Sequence, residues 1–79
     1  MLSQVPTDVL KMEHVVSLNL SNNTLMSLPV EISGLKNLTA LSLSNNLLKA
    51  LPWTIGSLPK LQSLALDGNP LEVREQLQP

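Results

Sequence analysis

The feature that most constrains this chain is a period. Valine or leucine recurs at Val15, Leu38 and Leu61, at Leu18, Leu41 and Leu64, and at Leu20, Leu43 and Leu66, each column stepping by 23 residues. Asparagine keeps the same step at Asn23, Asn46 and Asn69. Further columns are Leu2, Leu25, Leu48 and Leu71; Val5, Leu28 and Leu51; Pro6, Pro29 and Pro52; Val9, Ile32 and Ile55; and Met12, Leu35 and Leu58. One coil of this length cannot bury its own apolar face and must lie against the next, so the period predicts a stack. The columns divide the chain into a half-repeat over 1–14, which covers the N-terminal end of the core, and repeats over 15–37, 38–60 and 61–79.

Within each repeat the local pattern is that of a short strand. Leu18 and Leu20, Leu41 and Leu43, and Leu64 and Leu66 alternate with small or polar residues, which buries one face of an extended segment and leaves the other open. Strands returned to the same place every 23 residues pair in parallel. The return path carries Pro29 and Pro52, which cannot donate to a ladder and favour extended or turn geometry. Its outer side is therefore expected to be irregular or 3₁₀ rather than α-helical. Asn23, Asn46 and Asn69 fall where the chain turns inward after each strand and leaves backbone groups without sheet partners; a side-chain amide supplies both donors and an acceptor there. These three are assigned as a structural ladder.

The run Leu38-Thr39-Ala40-Leu41-Ser42-Leu43-Ser44-Asn45-Asn46-Leu47-Leu48, followed by Leu51-Pro52 and Ile55-Gly56-Ser57-Leu58, resembles the leucine-rich repeat. It is similar to the 23-residue L-P-x-x-I-G-x-L subclass of intracellular Ras-group scaffold proteins, and the likeness runs from about Leu2 to Leu71. The resemblance implies an α/β solenoid, a short curved horseshoe segment with a parallel sheet of three or more strands on its concave face. It also implies a protein-binding or scaffolding role in signalling, with partners that include small GTPases and phosphatases in some relatives.

Composition narrows the function classes. The chain holds nineteen leucines and a single aromatic residue, Trp53, so aliphatic columns must supply the core. It has no cysteine, which removes disulfides and thiolate metal sites and favours a cytoplasmic setting. No apolar run approaches the roughly 20 residues of a membrane span, and the start lacks a basic and then apolar leader. The expectation is a soluble, unsecreted chain, or a fragment whose targeting signal lies elsewhere. Five basic against six acidic residues, without a basic cluster, offer nucleic acid no footprint. His14 has no second imidazole or thiol for a metal site, and the serines lack a base partner, so neither cofactor nor catalysis is expected.

The working surface implied by the family is the concave strand face. Here that face comprises Val16, Ser17, Asn19, Ser21 and Asn22; Thr39, Ala40, Ser42, Ser44 and Asn45; and Gln62, Ser63, Ala65, Asp67 and Gly68. It holds one formal charge and none of the Trp, Tyr or Arg that dominate binding hot spots. Two readings stand: a solvated face of small residues, or part of a longer binding surface. Trp53, in the column of Thr7 and Val30, is either a partly exposed anchor for a partner or a ring lying flat on Val30 and Pro52. Sequons at Asn19, Asn22 and Asn37 arise readily in a chain so rich in Asn, Ser and Thr and are expected to be unused.

The ends carry expectations of their own. Pro6-Thr7-Asp8 reads as a helix start with a capping residue, and Asp67-Gly68-Asn69-Pro70-Leu71 resembles the variant that closes such arrays. Val73 and Leu77, four apart with charge between, suit a short helix over the last coil. Open strand edges could join further copies, giving a homo-oligomer. A third reading makes the repeats a targeting arm of a larger enzyme.

Overall fold

The computed structural model describes residues 1–72, so the helix expected around Val73 and Leu77 lies outside the described residues. Three short strands, β1 (Ser17–Asn19), β2 (Ala40–Ser42) and β3 (Ser63–Ala65), form a parallel sheet in chain order. The register is one repeat per strand: Ser17 lies beside Ala40 and Ser63, Leu18 beside Leu41 and Leu64, and Asn19 beside Ser42 and Ala65. Each 23-residue step in sequence is therefore one strand spacing, about 4.8 Å, in space.

The return path is 3₁₀, as the prolines require. Turns at Val9–Lys11, Val30–Gly34 and Trp53–Ser57 stack on the side of the coil opposite the sheet. Pro29 and Pro52 stand immediately before the second and third turns with extended backbone, near φ −70° and ψ 150°, and their carbonyls accept the first bonds of those turns, from Ile32 and Ile55. Asp8 precedes the first turn, but its side chain makes no capping bond; its φ of −62° and ψ of −34° are already helical, whereas an N-cap needs extended backbone to aim its oxygen back at the turn.

The leucine columns fill the space between sheet and turns. Leu25, Ile32, Leu35, Leu38, Leu41, Leu43 and Leu48 are fully buried, and all lie in the first two repeats, where a coil covers them on each side. Their counterparts Leu61, Leu64, Leu66 and Leu71 are partly buried in the third. Met12 departs from its column: it is 50% exposed while Leu35 and Leu58 are buried. The reason is positional, since no described coil lies outside the first turn to close over it. Leu2, 38% exposed, departs in the same way.

The asparagine column links coil to coil. Asn46, 4% exposed, accepts from the Leu25 amide at 3.0 Å and donates to the Leu20 carbonyl of the preceding coil at 3.0 Å and the Leu43 carbonyl of its own at 2.9 Å. Asn69 repeats the arrangement on the Leu48 amide and the Leu43 and Leu66 carbonyls. Asn23 accepts from Leu2 and donates to Leu20 and Ser21. A second set of rungs runs beside it: the amides of Thr24 and Leu47 donate to the carbonyls of Leu2 and Leu25. Pro70 occupies the third position of that set and has no N–H to give Leu48.

Candidate functional site

The sheet holds the candidate face rigid because its backbone is bonded strand to strand. Thr39 and Ala40 donate to Val16, Leu20 donates to Ser42, Gln62 and Ser63 donate to Thr39, and Leu43 donates to Ala65. With the leucines turned inward, the outward positions present Ser17, Ala40 and Ser63 as one row and Asn19, Ser42 and Ala65 as the next. Ser17, Asn19, Gln62 and Ser63 are exposed, while Thr39, Ala40, Ser42 and Ala65 sit half-buried in the floor of the curve. Val16, 53% exposed, is the one sizeable apolar group at this face.

Side chains along the rim of the face bond to one another. Ser44 Oγ donates to Asp67 Oδ1 at 2.6 Å, and Asn45 Nδ2 donates to Asn22 Oδ1 at 3.1 Å, each pair spanning one strand spacing. Asn19 Oδ1 accepts from the Ser21 amide at 3.0 Å and from its hydroxyl. Thr39 Oγ1 donates to the Val16 carbonyl at 3.2 Å. The polar groups are thus tied within the face, with Asp67 carrying its one formal charge.

Asn22, Asn45 and Gly68 form a column whose role the sequence reading missed. Their φ angles are 61°, 60° and 76°, the left-handed region that turns the chain off each strand. Asn and Gly are the residues that tolerate this conformation, and their recurrence at 23-residue spacing was the available signal. Gly68 is doubly required, because a Cβ there would strike Asn45 Oδ1. Asn22 and Asn45, candidates for partner contact, therefore also shape the turn.

Trp53 opens the third 3₁₀ turn on the outer side, away from the strand face, and is 80% exposed. Little of the ring is covered by Val30, itself 51% exposed, or by Pro52. Asn37, in contrast, is held at both ends: Nδ2 donates to the Glu13 carbonyl at 2.8 Å and Oδ1 accepts from Lys60 Nζ at 3.1 Å. A groove between the N-terminal half-coil and the first full coil, lined by Val5, Leu10 and Pro29 with Lys11 and Glu31, was not anticipated. Among the described residues no three His, Asp or Glu side chains come together as a metal site, and no helix is long and apolar enough to cross a membrane.

A leucine-rich repeat family model matches residues 2–48 and 13–71. The chain belongs to the leucine-rich repeat family. The same architecture is seen in solved structures, among them a leucine-rich repeat protein of Leptospira interrogans that is 42% identical with a TM-score of 0.85. That likeness covers 96% of this chain and 19% of the other, so the chain spans about a fifth of that protein. No curated protein matches. Leucine-rich repeats in general mediate protein–protein interaction.

Proposed function

We propose that the chain is a non-catalytic protein-binding module that takes a partner protein on its concave strand face, in the manner of cytoplasmic Ras-group scaffolds that serve signalling. The observation that carries the reading is the outward row of Ser17, Ala40 and Ser63 beside that of Asn19, Ser42 and Ala65, a face of small side chains that lets a partner approach the sheet closely. Three strands, each taking up about 4.8 Å, make the face only about 15 Å wide, less than a standard interface of roughly 800 Å² per partner needs. The reading therefore includes the adjoining rim residues Ser44, Asn45 and Asp67, with Trp53 on the outer side as a separate anchor.

The test is a binding comparison against a panel of signalling proteins that includes small GTPases and phosphatases. Ser42→Arg places a long charged side chain in the middle of the floor and is expected to weaken a genuine concave partner by tenfold or more, or ~1.4 kcal/mol, with the circular dichroism spectrum unchanged. Trp53→Ala is expected to weaken any partner that wraps to the outer turn by a similar factor. A partner bound equally well by both variants would refute the face and the anchor together.

One further observation favours a second reading, self-association through the ends. Among the described residues β1 and β3 each pair on one side only, and an uncovered edge is a template for another strand. Light scattering over a concentration series is expected to show mass rising with concentration. A constant monomer mass at the highest concentration would exclude it.

A further inference from the structure

Three features meet at Asp67-Gly68 and at neither of the equivalent positions in the other repeats. The first is the residue pair. Repeats one and two place Ser21-Asn22 and Ser44-Asn45 at this turn, whereas the third has a carboxylate followed by glycine. The second is the amide. Asn22 N donates to the Ser44 carbonyl and Asn45 N to the Asp67 carbonyl, both at 2.9 Å, each tied to the next coil, while Gly68 N has no acceptor among the described residues. The third is access: Asp67 and Gly68 are both exposed, and glycine puts no side chain in the way of its own nitrogen.

We propose that Asp67 is a site of spontaneous covalent modification, isomerising to isoaspartate through a cyclic imide. The Gly68 nitrogen attacks Cγ of the protonated Asp67 carboxyl. A C–N bond forms, the C–O bond to the carboxyl hydroxyl breaks, and the amide proton leaves with that hydroxyl as water. Water then adds to either imide carbonyl. Opening at the side-chain carbonyl restores Asp67, and opening at the main-chain carbonyl routes the backbone through the β-carbon. The water lost is regained, nothing is oxidised or reduced, and no co-reactant is needed. Ser44 holds only Oδ1, which leaves the other carboxyl oxygen available as the leaving group.

The fold itself imposes this chemistry. A left-handed turn pressed against Asn45 Oδ1 admits glycine at position 68, and that glycine activates the aspartate before it. The product lengthens the main chain by one atom between β3 and Asn69. It also converts the carbonyl that accepts from Asn45 into a free carboxylate. Both changes strike the third coil where Asn69 donates to the Leu43 and Leu66 carbonyls and accepts from the Leu48 amide.

The test is ageing of the 79-residue chain, folded, at near-neutral pH and body temperature, with isoaspartate located by electron-transfer fragmentation of its peptides. The expected result is isoaspartate at position 67 accumulating several-fold faster than at Asp8, whose neighbour Val9 is bulky and donates its amide to the Pro6 carbonyl. Asp67→Glu, whose imide ring would be one atom larger, is expected to abolish the product while leaving the circular dichroism spectrum unchanged. Equal amounts at positions 67 and 8 in the folded chain would overturn the proposal, as would a product that forms only in denaturant.

Discussion

Asn46→Ala is expected to lower the stability of this chain by about 1–3 kcal/mol. The substitution orphans the Leu25 amide in a site 4% exposed and takes one of two donors from the carbonyls of Leu20 and Leu43, which keep Asn23 and Asn69; a buried polar group left without a partner costs roughly 1–3 kcal/mol. Solvation by water entering the gap limits the sum. A chain of this length has a total stability of only about 4–12 kcal/mol at 0.05–0.15 kcal/mol per residue, so a large fraction of it is removed. Urea unfolding followed by circular dichroism checks this, with Ser42→Ala as the control. That hydroxyl lies on the strand face among small neighbours and is expected to change stability by no more than about 0.5 kcal/mol. Equal losses in the two variants would contradict the assigned register.

Leu43→Ala is expected to cost about 2–5 kcal/mol, the range for removing a leucine side chain from a closed core. Leu43 is fully buried, with coils on both sides. Leu66, one repeat on in the same column, is only partly buried, so Leu66→Ala leaves a smaller cavity and a smaller loss. Thermal unfolding separates the two, because each kcal/mol moves the midpoint by about 4–8 °C in a domain of this size. A midpoint for Leu66→Ala as low as that for Leu43→Ala would mean that the third coil is packed as tightly as the second.

The parallel sheet, its register and the 3₁₀ outer turns were legible because they follow from columns and prolines, which act over one repeat and need no knowledge of the rest. The asparagine ladder was legible for the same reason: an amide at a fixed step after each strand meets the same unsatisfied carbonyls every time. Two things were not legible. Met12 was placed in the core by its column, yet exposure at the first turn depends on what lies outside it, which periodicity does not encode. Asn22, Asn45 and Gly68 were read as part of the concave strand face, although their recurrence marks the left-handed turn. Trp53 breaks its column with Thr7 and Val30, and its exposure follows from having no counterpart of similar size to stack on.

The missing N–H of Pro70 displaces a rung of the stack, since the Glu72 amide donates to the Lys49 carbonyl at 3.0 Å two residues on. The carbonyls of Leu2 and Leu25 each receive a bond from the following coil, and that of Leu48 receives none from Pro70. In a stack where each coil is stabilised only by its neighbours, the bonds at every junction decide whether the array unfolds as one unit. The third coil is thus held to the second through a displaced rung as well as through the sheet, and the junction accommodates a residue that cannot donate.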